Sequence, residues 1–279
     1  MSVIDYPPFN DIDRINESSR AITHHLGLSE IVCMLGTGFY PENPPWKELR
    51  KISCRDIPHF PKREGTYHEP DCILASSGMK DFLVMTGRYH FYEGFSLQEV
   101  GYPVRVLAQT GIKTIILTSA CGGINPDYNV GDYVIVEDHV NLLGLNPLIG
   151  QNIDDFGPRF PNLLEGYSST LINKLQESGR VVGLQFKKGI LGYLPGPCFE
   201  SRAELDFLKR NNIDLIGWSS VPEAIVACHA GLDMVSIAVV SDISDPLRAQ
   251  VVSEGEVLQG AKKNSSIFAE VLCSVIENL

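Results

Sequence analysis

The sequence predicts an α/β protein built on a mixed, largely parallel sheet with helices around it. Two patterns carry that expectation. Short apolar runs rich in β-branched residues recur along the chain, several without the in–out alternation of a half-exposed strand, as expected of strands covered on both faces. Helical stretches lie between some of these runs, and strands alternating with helices mark one α/β unit. The 279 residues, 44% hydrophobic and 20% charged, suffice for a large core and exclude a mainly disordered chain. They are taken as one domain over residues 1–279.

The first helix is expected after Asn10, with Ile12, Ile15, Ile22 and Leu26 on one stripe and Gly27 closing it. Strands are expected at residues 31–35, 72–75, 82–86, 114–118, 133–136, 190–194, 214–216 and 234–240. Further helices are expected at 96–109, 167–178, 201–211, 221–229 and 254–278. The Pro- and Gly-rich stretch 144–161 reads as a long loop, and loops of that length in compact domains usually serve function.

With 23 basic and 34 acidic residues the formal charge is −11. No basic stripe appears, which argues against nucleic acid or an anionic membrane surface as partner, although one local pocket can still oppose the global sign. No apolar run has the length of a membrane helix. The opening MSVIDYPPFNDIDR lacks the basic and apolar regions of a secretory signal. The seven cysteines (33, 54, 72, 121, 198, 228 and 273) form no C-x-x-C pair. They read as free thiols of a reducing compartment, so a cytoplasmic location is expected.

Ligands of such sheets bind where strands end and helices begin. Gly36-Thr37-Gly38 follows the first strand and suits an anion cradle or, equally, a tight strand exit; it lacks the third glycine of a dinucleotide fingerprint. Arg88, His90, Tyr92 and Glu93 crowd the end of the 82–86 strand, where a planar guanidinium suits phosphate or carboxylate. The alternative there is a surface loop with one ion pair. His68, alone in the loop before Cys72, is by itself as easily structural. Small residues at 119–123 permit close approach to the backbone. Ser201 and Glu204 fit a capping box, which leaves Glu200 free to face a cleft. Ser220 and Glu223 fit another, and Ser219 with the free amides there makes an anion site beside Trp218. Ser241, Asp242 and Asp245 follow the last strand, and a carboxylate there suits ligand N–H groups or an ordinary turn. No zinc-type spacing and no G-x-S-x-G elbow is present.

In this order the segments resemble the trimeric purine nucleoside phosphorylase family. The matching pieces are G-T-G-F from Gly36, GRYHFYEG (87–94), SACGGINPDYNVGD (119–132), DHVNLLGLNPLIG (138–150), FGPRFP (156–161), GPCFES (196–201) and GWSSVPEAIVACHAG (217–231). The resemblance spans nearly the whole chain. It implies a three-layer fold, a homotrimer, no metal or organic cofactor, and reversible phosphorolysis of purine nucleosides with inorganic phosphate as co-substrate. By matching position it implies that Thr37, His68, Arg88, Ser219 and the Ala120 amide hold phosphate. His90 falls near the phosphate and ribose side, and Tyr92 and Trp218 fall at the ribose. Cys121, Gly122, Phe199 and Gly217 fall along the base, with Glu200 reading its edge and Phe160 reaching in from a neighbouring subunit. His90, Glu200 and Asp242 are the expected catalytic group.

Four positions depart from the family pattern. Asp242 stands where the family has asparagine; an ionised carboxylate only accepts hydrogen bonds, which suits a 6-amino group and disfavours a 6-oxo group. Glu200 pulls the other way, because it suits the N1–H of a 6-oxopurine. A broadened or adenosine-shifted specificity is expected. Trp218 replaces a methionine beside the ribose, Ser119 replaces an asparagine, and Glu254 falls where the family has a ribose-contacting histidine. The alternatives are an adenosine or 5′-methylthioadenosine phosphorylase and a nucleoside-binding paralogue with little turnover. A hydrolase is disfavoured because it leaves the anion site without a role.

Overall fold

The computed structural model describes residues 11–36, 38–62, 70–244 and 264–279, with residues 255, 259 and 262. Nine strands form one sheet: β1 (Ile31–Met34), β2 (Lys47–Ser53), β3 (Asp71–Ser76), β4 (Asp81–Met85), β5 (Thr114–Gly123), β6 (Tyr133–Asn141), β7 (Phe186–Tyr193), β8 (Leu215–Gly217) and β9 (Asp233–Ile243). Their order is β2-β3-β4-β1-β5-β8-β7-β6-β9, and β9 also pairs with β5. The last five strands therefore close on themselves, a feature that no local pattern announces. Parallel pairs (β1 with β4 and β5, β5 with β9, β7 with β6 and β8) mix with antiparallel ones.

Helices cover both faces. The helices α1 (Ile12–Leu26), α2 (Leu97–Gln109) and α5 (Val221–His229) bury Ile15, Ile22, Val100, Tyr102 and Ala224 against Val32, Met34, Ile115 and Leu117. On the other face α3 (Ser169–Val182) and α6 (Ser265–Glu277) bury Leu171, Leu175, Phe268 and Leu272 against Cys33, Ile116, Val235 and Ile237. Successive residues of β1 and β5 thus enter opposite layers, which is why these strands read as unbroken apolar runs. Helix α4 (Arg202–Arg210) lies at the periphery with Leu205 and Leu208 inward.

The local signals act as the chain chemistry dictates. Asp11 caps α1, its carboxylate accepting the Asp13 N–H at 2.9 Å. Both arms of the Ser201/Glu204 box form, at 2.7 and 3.3 Å. A box at Ser96/Glu99 starts α2 in the same way. The Ser220/Glu223 box does not form as expected: Ser220 has φ +68° and makes no side-chain cap bond, and the Glu223 side chain pairs with an arginine. β2 is a strand that hydrophobic periodicity misses. It is an edge strand whose first five residues are exposed, KELRK, and charge on an edge guards against mispairing. β6 runs to Asn141, beyond the expected end at 136, and pairs with β7 through a bulge. Helix α3 starts two residues later and ends four later than expected, bounded by Ser168 and Gly183.

One consequence of the topology positions everything that follows. β5 takes β1 on one edge through Leu117 and takes β8 on that edge from Gly122 onward. Between these partners, Ser119, Ala120 and Cys121 have no ladder partner on that edge among the described residues. The expected ligand locus of an open α/β sheet is such a change of strand partner.

Candidate functional site

Arg88 fills the place where β1 stops and β5 continues. Its side chain is 2% exposed, and Nη2 donates to the Met34 carbonyl at 3.1 Å and to the Thr118 carbonyl. Nη1 donates to Glu223 Oε1 at 3.3 Å, and Glu223 is fully buried in the first turn of α5. Burial pushes the Glu223 carboxyl upward and the Arg88 charge opposes that push. A charge removed from water is tolerated only with such compensation. Among the described residues, Arg88 Nε, Ser220 Oγ and Glu223 Oε2 are buried without a hydrogen-bond partner. Arg88 thus reaches the first turn of α5, where Ser220 adds a hydroxyl able to donate and where orphan amides and the helix dipole favour an anion. Ser219 is half-buried beside them. Thr118 Oγ1 accepts the Gly36 N–H at 2.9 Å, and a Cβ at Gly36 would lie 2.7 Å from the Thr118 carbonyl, so only glycine lets the strand exit pass so closely.

An aromatic array leads away from this point. His90 stacks on Tyr92 at 4.8 Å, Tyr92 meets Trp218 edge-on at 5.8 Å, and Trp218 meets Phe199 at 5.5 Å. His90 is buried, with Nδ1 at 3.0 Å from Glu93 Oε2, which also accepts the His90 main-chain N–H. Phe199 is 54% exposed, so its ring offers a face to a ligand. At the far end of the array Trp218 Nε1 donates to Glu200 Oε1 at 3.4 Å. Burial raises the Glu200 carboxyl; its own main-chain N–H and then the Trp218 donor oppose this, and Asp242 and Glu204 add to it.

Asp242 is 8% exposed on β9, in register with Gly122 of β5. Ser241 Oγ donates to its Oδ1 at 2.8 Å and Ser244 Oγ to its Oδ2 at 3.4 Å. Burial raises its carboxyl against these two donors. Gly122 has to be small, since a Cβ there would sit 2.6 Å from Ser244 Oγ. Gly217 abuts Cys121, whose thiol is pushed up to about 12 by burial.

The structure thus brings together Arg88, His90, Tyr92, Ala120, Cys121, Gly122, Phe199, Glu200, Gly217, Trp218, Ser219 and Asp242 around the change of strand partner. Thr37, His68, Asp245 and Glu254 lie outside the described residues. Phe160 stands apart from the array on the long loop, 86% exposed with the Arg159 guanidinium 5.5 Å from its ring. Arg88 differs from an open anion-binding arginine, because both terminal nitrogens already serve protein acceptors. Sequence reasoning missed Thr118 and the part Glu223 plays in the site. Glu223 reads as a helix cap, and its partner is 135 residues away, a separation that no local signal spans. Among the described residues, no group of three or more His, Cys, Asp or Glu side chains is arranged to hold a metal ion. None of the described helices is long and apolar enough to cross a membrane.

The Phosphorylase superfamily model matches residues 30–277. The chain belongs to the phosphorylase superfamily. Within it, this phosphorylase is a divergent member of the purine nucleoside phosphorylase group. It is 34% identical to purine nucleoside phosphorylase 1 of Bacillus subtilis over 95% of this chain and 98% of the relative. It is 31% identical to the purine nucleoside phosphorylase of Rattus norvegicus over 97% and 96%. Among solved structures, isoform 2 of the Schistosoma mansoni enzyme, in complex with cytosine and ribose-1-phosphate, superposes with a TM-score of 0.88 at 30% identity, covering 96% of this chain and 97% of that one.

Two measurements test this geometry. Glu223→Ala strands the buried Arg88 charge and is expected to cost about 3–5 kcal/mol in denaturant unfolding; a loss below about 1 kcal/mol would remove the pair from its central place. Asp242→Asn tests the buried carboxyl. A group raised in the folded state contributes most below its unfolded pKa and loses that contribution as pH rises through the folded value. Asp242→Asn is therefore expected to stabilise the protein at pH 7 and to have little effect near pH 3, read from thermal unfolding at both.

Proposed function

We propose that the protein catalyses reversible phosphorolysis of purine ribo- and 2′-deoxyribonucleosides to free base and (deoxy)ribose 1-phosphate. The observation that carries this reading is one line of groups. It runs from a buried arginine at the start of α5, along an aromatic wall of sugar and base dimensions, to Glu200 and Asp242. Phosphate is the co-substrate, and the reading requires no metal or organic cofactor.

Each end of the line answers one half of the reaction. Phosphate attacks C1′ as the N9–C1′ bond breaks, so positive charge grows on the ribose while the bonding electrons leave with the purine. The α5 amides, Ser219, Arg88 Nε and the Ala120 amide favour a phosphate beneath the sugar, and the family pattern adds Thr37 and His68. His90, Tyr92 and Trp218 line the ribose, with Glu254 assigned by the same pattern. Phe199 packs on the base beside Cys121, Gly122 and Gly217. A buried carboxyl such as Asp242, held toward its protonated form, suits donation to the departing purine.

Base choice follows from the carboxyl pair. Bound 6-oxopurine asks for ionised Glu200 at N1–H and protonated Asp242 at the 6-oxo or N7 edge. Bound 6-aminopurine asks for protonated Glu200 at N1 and ionised Asp242 at the amino group. Each arrangement needs one proton on the pair, so the pocket supports a specificity broadened toward adenosine. Solved structures of the Schistosoma mansoni enzyme include complexes with adenosine and with inosine, at TM-scores of 0.86 and 0.87. An adenosine or 5′-methylthioadenosine phosphorylase is the second reading, and Asp242 is the residue that favours it. The reading also includes a homotrimer, in which the exposed Phe160 enters a neighbour's site, and a cytoplasmic location, where free thiols stay reduced.

Free base released from adenosine, inosine, guanosine and 5′-methylthioadenosine, with and without phosphate, tests the reaction. Release is expected only with phosphate, and none from any substrate would point to a non-catalytic paralogue. Asp242→Asn is expected to lower the adenosine-to-inosine ratio of kcat/KM by about tenfold or more; an unchanged ratio sinks the specificity reading. Phe160→Ala is expected to lower kcat/KM about tenfold at unchanged Tm, and sedimentation should give a mass of three chains. A monomer of full activity would refute the shared site.

A further inference from the structure

Trp218 joins the aromatic array to the carboxyl end of the site. Its ring meets Tyr92 from the segment after β4 and Phe199 from the segment before α4. The backbone at Gly196, with φ +63°, lies flat on the indole, where a Cβ would come within 2.8 Å of Cδ2. Two chain segments, the one after β4 and the one before α4, therefore fix the orientation of the ring, and that orientation aims Nε1 at Glu200 Oε1, 3.4 Å away.

An indole N–H has one capability: it donates and never accepts. Toward a carboxyl it favours the ionised form alone. The other charged groups acting on Glu200 are Asp242 from β9 and Glu204 from α4, both of which disfavour ionisation, as does burial. Trp218 is thus the side-chain donor set against two acids and a poorly solvated wall.

We propose that Trp218 is a specificity-determining residue that acts through Glu200: its indole N–H keeps Glu200 as an acceptor, leaves the pair's proton to Asp242, and so favours purines with an N1–H and a 6-oxo group. This rests on the reading that Glu200 and Asp242 address the base edge. Asp242 opens the pocket to 6-aminopurines, and Trp218 restrains that opening. Trp218 touches the reacting base through no atom of its own in this role; it is a positioning residue.

Trp218→Phe and Trp218→Met both remove the donor while differing in bulk. Both are expected to raise the adenosine-to-inosine ratio of kcat/KM by about fivefold to tenfold, the scale of one hydrogen bond to a charged group. With the donor gone, Glu200 protonates more readily, so the acid limb of the inosine profile is expected to move to higher pH. In a Glu200→Gln background either substitution is expected to leave the ratio where Glu200→Gln alone puts it. A role in packing alone would lower both substrates together and differ between Phe and Met. If Glu200→Gln changes the ratio while both Trp218 variants, shown folded by thermal unfolding, keep the original one, the proposal is overturned. If Glu200→Gln leaves the ratio unchanged, the base-edge reading fails and takes the proposal with it.

Discussion

The buried ion pair between Arg88 and Glu223 is the constraint on which the rest of the site depends. β5 exchanges one neighbour for another along a single edge, and the exchange exposes main-chain carbonyls at Met34 and Thr118 inside the protein. Arg88 meets both and carries a charge that must itself be balanced. Glu223 balances it from the first turn of α5. Once that pair exists, the start of α5 has one place to be, and with it Ser219 and Trp218. The chain on either side of Arg88 is equally committed: β4 precedes it, and His90 and Tyr92 follow within four residues. A single interaction thus joins the anion end of the site to its aromatic wall.

The base end obeys a different constraint, that of space. Gly122 lets β9 bring Asp242 and Ser244 against β5, and Gly217 lets β8 lie against Cys121. Larger side chains there would push the carboxyl away from the groove. Close approach also removes water, which is why Asp242 and Glu200 both hold their protons more tightly than exposed acids do. The same packing that places the acids therefore tunes them. Ser241, Ser244 and Trp218 then counter that shift with directed donors, each stabilising the ionised form of its own partner.

Much of this was legible before any coordinates. Strands covered on both faces announce themselves as apolar runs, so β1, β4, β5 and β9 are read from residues such as Val32, Cys33, Ile115 and Ile116. The local cap at Ser201 is read from spacing alone. The strand β2 was hidden because its role at the sheet edge demands charge, the opposite of the signal sought. Closure of β5 through β9 was hidden because pairing between distant strands leaves no periodic mark. Within the site, the residue types at Arg88, Glu200 and Asp242 were visible, and what each one faces was not. Glu223 shows the reason: S-x-x-E spacing predicts a cap correctly at Ser201 and fails at Ser220, whose side chain makes no cap bond, while Glu223 pairs with an arginine 135 residues away.

That failure carries its own meaning. Ser220 adopts φ +68°, a left-handed conformation that costs a non-glycine residue of order 1–3 kcal/mol. Its hydroxyl and Arg88 Nε are buried without partners among the described residues. Strain and unmet donors side by side are a poor solution for stability, and a protein free to optimise the α5 start would cap it, as α2 and α4 are capped. They are a sound solution for holding an oxyanion, because donors already fixed in place need no reorganisation when the charge arrives. Among the described α-helices α5 and α6 both start without a side-chain cap bond, but only at α5 does the cap residue adopt a positive φ, and α5 is the one whose first turn holds the arginine beside the gap in β5. Local chemistry and topology therefore assign the same role to the same spot.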